Sequence, residues 1–282
     1  MINYTNNIKK LHELKSKSLY IFDMDGTVYL GDKPLPNAVN LIEKINNQTN
    51  KRVIFFTNNA SKSSTYYYEK LKKLGFSNNS NNFDNSVNQV LSSADITINF
   101  LQTHRKNKRV FLLGTPYLES MFKESSIILT PDMPDIVVTS FDMTLTYEKL
   151  AKACTFIRNG AEWLTTHPDI NCPVENGGYI PDCGAINELI RVSTGRALPK
   201  AFGKPYGEVV DMMEAIYGEK RENMAMFGDR LYTDIALGKQ NNMTAVLLLT
   251  GEATLEEAMN LPPELQPDII FDNLIDAEKY LI

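Results

Sequence analysis

Short apolar segments that alternate with helical stretches constrain the fold of this chain more than any other feature of its sequence. Residues 18–22 (SLYIF) and 52–56 (RVIFF) are typical of short buried strands. Between them, the stretch Pro36–Asn47 carries apolar residues at helical spacing. A strand, a helix and a second strand in this order form the unit of a parallel α/β sheet. The N-terminal part of the chain is therefore expected to build such a sheet.

The same pattern returns in the rest of the chain. Apolar segments predict further strands at 109–113, 135–138, 223–227, 244–249 and 268–271. Helical stretches lie between most of these segments, and the sequence contains no visible internal repeat. The sequence therefore predicts the α/β fold class.

Two stretches that lack this pattern indicate how the chain is divided. Residues 78–88 are polar and rich in asparagine, which is typical of a linker, and the proline- and glycine-rich residues 167–184 predict a long loop. We expect a Rossmann-like parallel-sheet core domain formed by residues 1–79 and 189–282. Residues 80–188 are expected to form a smaller α/β domain inserted into that core.

Composition and charge exclude several classes of function. The 282 residues include 29 basic and 34 acidic side chains, and a net charge of −5 disfavours binding of a nucleic-acid polymer. The apolar runs are far shorter than the roughly 20 residues that a membrane-spanning helix needs. The three cysteines form no C-x-x-C pair, and the three histidines have no zinc-ligand spacing. We therefore expect a reduced, cytoplasmic protein without a membrane partner.

Two carboxylates stand directly after the first predicted strand. Asp23 and Asp25 are followed by Gly26, which permits a sharp turn. In extended backbone, residues two apart face the same side, and open α/β sheets place functional sites at the carboxyl ends of strands. Carboxylates at close range repel each other unless a cation or a proton lies between them, and Mg²⁺ prefers such oxygen ligands. The alternative is a solvated turn; a calcium loop is disfavoured, since the closing Glu of an EF-hand is missing.

Three further polar pieces follow in order along the chain. Residues 57–61 (TNNAS) end the second predicted strand and offer hydrogen-bond donors to an anion just before a helix. Lys204 precedes another helix and could place an ammonium beside a phosphate, while Asp229 and Asp234 follow a third apolar strand. Taken singly, these pieces also fit helix caps and a surface lysine. Their combination and order favour a phosphate-handling site.

Together the four pieces resemble the haloacid dehalogenase superfamily in its phosphatase form. The strings FDMDGTVYLG, TNNAS, GKP and GDRLYTDI are most similar to its NagD or para-nitrophenyl-phosphatase-like branch, and the resemblance covers most of the chain. Asp25 and Thr57 are 32 residues apart, whereas Thr57 and Lys204 are 147 residues apart, far more than one strand–helix unit requires. An insertion at that place implies the second type of cap, which in this branch is itself α/β.

The resemblance implies a role for each matching catalytic position. Asp23 would be the nucleophile that attacks phosphorus, and Asp25 would serve as the general acid and then as the general base. Thr57 and Asn58 would hold the phosphoryl group, and Lys204 would neutralise its charge. We assign Asp23, Asp25, Thr57 and Lys204 as the candidate catalytic residues.

The same resemblance implies the metal ligands and the outer substrate contacts. Mg²⁺ would be bound by Asp23, by the backbone carbonyl of Asp25 and by Asp229, with Asp234 supporting the metal. Arg230 and Thr233 would lie at the edge of the site. The candidate substrate-binding residues are Thr57, Asn58, Asn59, Lys204, Arg230, Thr233 and His167. His167 stands where the family usually has Asn, in the string Thr166–Asp169.

The implied activity is Mg²⁺-dependent hydrolysis of a phosphate monoester of a small metabolite, such as a nucleotide or a sugar phosphate. The reaction would pass through an aspartyl-phosphate. A phosphotransferase or mutase on the same scaffold, or a non-catalytic protein that binds a phosphorylated ligand, are the alternatives. Dehalogenation is disfavoured, because attack on carbon needs neither Asp25 nor a metal. The expected partners are the phosphorylated metabolite and, as in relatives, a second copy in a homodimer.

Overall fold

The computed structural model describes residues 8–76, 89–174 and 178–282. The predicted linker at 78–88 lies outside these residues. Strands of the described chain are β1 (Leu19–Phe22), β2 (Tyr29–Leu30), β3 (Lys33–Pro34), β4 (Arg52–Thr57), β5 (Val90–Ser92), β6 (Arg109–Leu113), β7 (Ile128–Leu129), β8 (Ile136–Thr139), β9 (Glu162–Thr165), β10 (Asn171–Val174), β11 (Gly178–Pro181), β12 (Lys200–Ala201), β13 (Met224–Gly228), β14 (Thr244–Leu248) and β15 (Ile269–Phe271).

Helices of varied length connect these strands. The α-helices are α1 (Ile8–Glu13), α2 (Ala38–Asn46), α3 (Ser64–Lys73), α4 (Ser93–His104), α5 (Pro116–Glu124), α6 (Tyr147–Arg158), α7 (Cys183–Thr194), α8 (Glu208–Tyr217), α9 (Ala236–Gln240), α10 (Leu255–Asn260) and α11 (Leu274–Glu278). Short 3-10 turns lie at Leu14–Ser16 and Arg221–Asn223, and a π-helical turn lies at Leu231–Ile235. Among the described helices, none combines the length and the apolar character that crossing a membrane demands.

The chain forms two compact units, which we call the first and the second unit. Of the described residues, the first unit contains 8–56, 65–76, 89–91 and 204–282. The second unit contains the remainder, 57–64, 92–174 and 178–203. The predicted core domain resumes at residue 189, which lies within α7. In the structure, the first unit resumes at Lys204.

A parallel sheet of six strands, as far as the described residues show, organises the first unit. Its order is β15-β14-β13-β1-β4-β5. Strand β1 therefore pairs on one side with β4, the next strand of this sheet along the chain, and on the other side with β13, which comes much later. All four residues of β1 are buried, as expected for a parallel strand that is covered on both faces. The rings of Phe22 and Phe227 stack across the β1–β13 pair with their centroids 4.5 Å apart. The carboxyl end of β1 is therefore a topological switch point, where such sheets place ligands.

The N-terminal residues before the first strand belong to this unit as well. Helix α1 and the 3-10 turn after it bury Leu11 and Leu14 in the core. Lys10 reaches the buried carboxylate of Asp268 at 2.7 Å, and Lys239 contacts the same carboxylate at 2.8 Å. Apolar burial and this charged contact together fix α1 on the unit.

The second unit contains its own sheet, with the strand order β12-β9-β8-β6-β7 and parallel pairing throughout. Its apolar core includes Phe111 and Val137 from the sheet and Ile157 and Ile190 from helices α6 and α7. The predicted α/β class, with a separate inserted α/β domain, is confirmed.

The long loop predicted at 167–184 is wrong in part. Strands β10 and β11 pair there as an antiparallel hairpin, with Asn171 opposite Pro181, and α7 begins at Cys183. Proline and glycine disfavour central strands, but a two-stranded ribbon has edges only and tolerates them. The composition that predicted a loop is therefore compatible with a hairpin.

Candidate active site

The carboxyl end of β1 separates the environments of the two aspartates that follow it. The Asp23 N–H donates to the Phe227 carbonyl at 2.8 Å, which extends the β1–β13 pairing by one residue. The Asp23 side chain is buried, whereas Asp25 is exposed. Gly26 then turns the chain with a φ of +84°, and its N–H donates to the Tyr29 carbonyl. One carboxylate is thus held inside the unit and the other is left accessible.

Asp229 directly follows β13, the strand beside β1. Its side chain is buried and accepts a hydrogen bond from the Glu252 N–H at 2.8 Å and a weaker one from the Thr27 hydroxyl at 3.3 Å. These contacts come from the segments after β14 and β1, respectively. Three neighbouring strand ends therefore fix the orientation of one carboxylate.

Three glycines leave room for the carboxylates, and we call Gly26, Gly228 and Gly251 the glycine cradle. A Cβ atom on Gly251 would lie 2.0 Å from Oδ2 of Asp229, and one on Gly26 would lie 2.6 Å from the same atom. A Cβ on Gly228 would lie 2.2 Å from the Cβ of Asp234. Any larger residue at these positions would displace a carboxylate, so the packing of the site depends on glycine.

Lys204 lies between two carboxylates of the first unit. Its ammonium donates to Asp23 and lies 2.7 Å from Oδ1 of Asp234, and all three side chains are buried. It also donates to the Phe56 carbonyl at 3.3 Å. The π-helical turn positions Asp234, whose Oδ2 accepts from the Arg230 N–H at 3.1 Å.

Charge at this site is unbalanced in a way that suits a divalent cation. One carboxylate oxygen from each of Asp23, Asp229 and Asp234, which we call the carboxylate trio, lies within 4.8 Å of the others. Within the described residues, one ammonium, that of Lys204, contacts two of these three carboxylates, Asp23 and Asp234. Hard oxygen ligands and an excess of negative charge are what Mg²⁺ requires, so the residues present fit this metal. The carboxylate of Asp25 is not part of the trio; a role for its backbone carbonyl stays a prediction.

The acid–base properties of the site follow from the same imbalance. Burial raises the pKa of Asp23 to about 8 and that of Asp229 to about 6. The negative charge of the nearby Asp234 contributes to both increases. Burial opposes the charged form of Lys204, but Asp23 and Asp234 outweigh it and raise the Lys204 pKa. Partial desolvation also raises the pKa of Asp25, although the positive charges of Lys70 and Arg230 act to lower it. A raised pKa suits a carboxyl that must donate a proton near neutral pH.

The predicted phosphate-holding segment belongs to the second unit and is internally hydrogen-bonded. The Asn59 N–H donates to the Thr57 hydroxyl at 3.1 Å, and the Ser61 N–H donates to the Asn59 side-chain carbonyl at 2.9 Å. The Asn58 side chain donates to Asp169 at 2.8 Å. Thr57 ends strand β4, so this segment follows a strand end as the sequence indicates.

The remaining predicted substrate residues have different surroundings. Arg230 pairs with Glu252 at 2.8 Å in the first unit. Thr233 is buried, and its hydroxyl has no hydrogen-bond partner within the described part of the chain. His167 is fully buried in the second unit. Substrate contact by these three side chains stays a prediction.

Sequence reasoning missed the segment after β14. Thr250 donates to the Gly26 carbonyl at 2.6 Å, Gly251 belongs to the glycine cradle and the Glu252 N–H holds Asp229. The apolar segment of β14 could have indicated this segment, because β14 belongs to the same parallel sheet as β1 and β13. The carboxyl ends of all three strands therefore lie at one edge of the sheet.

Family models match most of the first unit and part of the second. A haloacid dehalogenase-like hydrolase model matches residues 20–128, and a second, HAD-hydrolase-like model matches residues 201–277. An acid sugar phosphatase of Staphylococcus haemolyticus is 32% identical over 262 residues, which cover 93% of this chain and 95% of that protein.

Solved structures agree in both fold and sequence. A 4-nitrophenylphosphatase from Thermotoga maritima is similar with a TM-score of 0.87 and 40% identity, covering 96% of this chain and 99% of that one. A glycerol phosphate phosphatase from Mycobacterium tuberculosis, in complex with magnesium, gives a TM-score of 0.83 and 28% identity over 94% of this chain and 78% of its own. The chain therefore belongs to the haloacid dehalogenase-like hydrolases, in the NagD and para-nitrophenylphosphatase-like branch that carries an α/β cap of the second type.

Proposed function

We propose that this haloacid dehalogenase-type phosphomonoesterase hydrolyses sugar or polyol phosphates, with Asp23 as the nucleophile and Mg²⁺ as its cofactor. The observation that supports this most is the buried Asp23 carboxylate, which contacts Lys204 and shares the carboxylate trio with Asp229 and Asp234. A nucleophilic carboxylate needs positive charge beside it, because it must approach a phosphate dianion. At 4 Å, two unit charges repel each other by about 4 kcal/mol at an effective dielectric of 20.

Asp23 and Asp25 divide the reaction between them in this proposal. A carboxylate oxygen of Asp23 bonds to phosphorus while the bond from phosphorus to the leaving oxygen breaks, and Asp25 gives its proton to that oxygen. A water molecule then attacks the phosphorus of the aspartyl-phosphate and Asp25 takes the proton that the water loses, while the bond from phosphorus to Asp23 breaks and phosphate leaves. The exposed position of Asp25 and its raised pKa suit both steps.

Positive charge for the transferring phosphoryl group would come from two sources. Mg²⁺ bound by the carboxylate trio would neutralise phosphoryl oxygen charge and favour the ionised form of Asp23. Lys204 supplies a permanent ammonium, which Asp23 and Asp234 hold in position. The Thr57 hydroxyl accepts from the Asn59 N–H, and its donation to a phosphoryl oxygen is an expectation from the resemblance.

The substrate class is proposed from the activities of relatives. The similar proteins are named as an acid sugar phosphatase, a glycerol phosphate phosphatase and a 4-nitrophenylphosphatase. Sugar and glycerol phosphates share a polyhydroxylated leaving group, which makes this class the first choice over nucleotides. A cytoplasmic location suits three cysteines that form no disulfide in the described part of the chain, and a homodimer stays a prediction from the resemblance.

The test is phosphate release from a panel of sugar phosphates, glycerol phosphate and nucleoside monophosphates, with Mg²⁺ and with a chelator. We expect Asp23→Asn to abolish release from every substrate, because an amide is not a nucleophile towards phosphorus. Asp132→Asn, at an exposed aspartate of the second unit, is the matched control and should retain activity. Circular dichroism of both variants checks the fold.

Three outcomes would contradict the proposal or a part of it. Substantial Mg²⁺-dependent turnover by folded Asp23→Asn would remove Asp23 as the nucleophile. Phosphoryl transfer to added sugar alcohols in preference to water would indicate a phosphotransferase instead. If nucleoside monophosphates are hydrolysed with the highest kcat/KM, the mechanism stands but the proposed substrate class is wrong.

A further inference from the structure

A second group of potential metal ligands lies inside the second unit, at the base of the β10–β11 hairpin. His167, Asp169 and Asp182, which we call the histidine cluster, each offer one ligand atom within 4.8 Å of the others. His167 is 0% exposed, and the two aspartates are each 4% exposed. Asp169 precedes β10 and Asp182 follows β11, so the cluster joins the two ends of the hairpin.

The imidazole of His167 is the feature that needs an explanation. Within the described part of the chain, neither ring nitrogen has a hydrogen-bond partner. Nδ1 lies 3.9 Å from Oδ1 of Asp169, and Nε2 lies 3.6 Å from Oδ1 of Asp182, both beyond hydrogen-bonding distance. Burying a polar group without a partner is unfavourable, so such groups are rare unless an ion or water satisfies them.

The two carboxylates of the cluster are oriented by other groups. Oδ1 of Asp169 accepts from the Asn58 side chain at 2.8 Å. Oδ1 of Asp182 accepts from the Cys183 N–H at 2.5 Å, as the cap of helix α7. Hydrogen bonds of this kind fix ligand geometry at metal sites.

We propose that His167, Asp169 and Asp182 bind a divalent transition-metal ion of the zinc class, separate from the Mg²⁺ site of the first unit. An imidazole nitrogen with two carboxylates is a donor set that suits Zn²⁺, whereas Mg²⁺ favours oxygen ligands alone. The carboxylate trio offers oxygen ligands alone, so the two sites differ in the metal they select. This inference does not depend on the proposed phosphatase function.

Such an ion would fasten the hairpin at its base. Backbone contacts already join the two ends there, since the Asp182 N–H donates to the Ile170 carbonyl at 2.9 Å and the Gly184 N–H donates to the Asp169 carbonyl at 2.7 Å. A metal bound to Asp169 and Asp182 would add a link between side chains at the same place. Amide exchange in β10 and β11 is therefore expected to slow when the metal binds.

The test is the number of Zn²⁺ ions bound per chain, measured by equilibrium dialysis and elemental analysis on the full chain after metal removal. Asp229→Asn serves as the background, because it weakens the carboxylate trio. We expect this variant to bind one Zn²⁺ ion, and adding His167→Asn to lower its affinity by about 100-fold or more. Asp182→Asn keeps a residue type that caps helix α7 well but removes the negative charge. This variant should therefore also bind Zn²⁺ more weakly.

His104→Asn in the same background is the matched control, since His104 is an exposed histidine of the second unit. It should leave Zn²⁺ binding unchanged. X-ray absorption of the bound zinc should show one imidazole with oxygen ligands at about 2.0–2.2 Å. Amide exchange by mass spectrometry then reports whether β10 and β11 are protected by Zn²⁺.

Three results would overturn the proposal. The first is an Asp229→Asn protein that binds no Zn²⁺ at micromolar concentrations. The second is unchanged Zn²⁺ affinity in a folded His167→Asn or Asp182→Asn variant. The third is an absorption spectrum without imidazole ligation, which would place the ion elsewhere.

Discussion

At the residue scale, Lys204 lies between Asp23 and Asp234, and we expect its charge to be essential to the site. Lys204→Met keeps much of the volume but leaves two buried carboxylates without their ammonium. We expect kcat/KM to fall by about 10²–10³-fold, as when one charge-stabilising donor is removed from an active site. Steady-state kinetics at saturating Mg²⁺ measure this effect.

Stability gives an independent readout of the same substitution. The free energy of unfolding of Lys204→Met should fall in the absence of metal, since buried charges lose their partner. Lys200→Met, in β12, is the control for loss of a nearby lysine. Near wild-type kcat/KM in Lys204→Met would contradict the proposed role of the ammonium.

The residues of the site differ in how far sequence predicts them. Asp23 and Asp229 were predictable because each follows an apolar strand, and carboxyl ends of neighbouring parallel strands meet at one sheet edge. The pairing of Asp234 with Lys204 was not, because it depends on a π-helical turn that spacing does not reveal. The sequence also could not predict that the His167 ring is buried without a hydrogen-bond partner among the described residues, since burial depends on the tertiary fold.

At the element scale, the loop after β14 sets the space available to the carboxylate trio. Gly251→Ala would place a Cβ against Asp229, so the carboxylate must move away from its present position. We expect a loss of about 10–100-fold in Mg²⁺ affinity, the range found when the surroundings of a metal ligand are disturbed. Titration of activity and of calorimetric heat with Mg²⁺ measures this change.

Gly114→Ala is the matched substitution in the second unit. Its nearest neighbour is the end of the flexible Leu118 side chain at 3.0 Å, which can adjust. Equal Mg²⁺ affinity in Gly251→Ala and Gly114→Ala would show that the glycine cradle does not control metal binding.

Regular elements were easier to predict than irregular ones. Apolar spacing predicted a helix at 36–47, and α2 spans Ala38–Asn46. The β10–β11 hairpin was missed because its proline and glycine suppress the strand pattern while backbone pairing still forms. Local periodicity therefore identifies elements that bury an apolar face, and it fails where backbone pairing alone decides.

At the scale of the whole molecule, metal-free stability should depend on pH through the carboxylate trio. The pKa values of Asp23 (about 8) and Asp229 (about 6) in the folded state exceed the value of about 3.9 for an unfolded aspartate. Between these values the folded state binds more protons than the unfolded state, so the free energy of unfolding falls as pH rises. Their stabilising contribution is full below about pH 4 and is lost as pH rises through about 8.

Urea unfolding across this pH range, with EDTA and with saturating Mg²⁺, tests the prediction. Mg²⁺ binds the ionised carboxylates, so it should remove most of the slope. Asp229→Asn should flatten the metal-free curve because it removes one of the titrating groups. A metal-free slope that Asp229→Asn leaves unchanged would contradict this origin.

The division into two units was predictable from the spacing of the motifs. Thr57 and Lys204 are too far apart in sequence for one strand–helix unit, which indicates an insertion. Composition does not change where the chain passes between the units at Gly203 and Lys204, so the sequence carries no local signal of a boundary there.

The strand order of the first unit has a consequence for the time at which the protein can fold. Strand β1 (Leu19–Phe22) emerges from the ribosome well before its partner β13, which begins at Met224. Until then, one edge of β1 exposes unpaired backbone groups, which are prone to join other strands. Asp229 emerges immediately after β13, and Asp234 follows five residues later, so a nascent chain completes the β1–β13 pair and the carboxylate trio at the same late stage of synthesis.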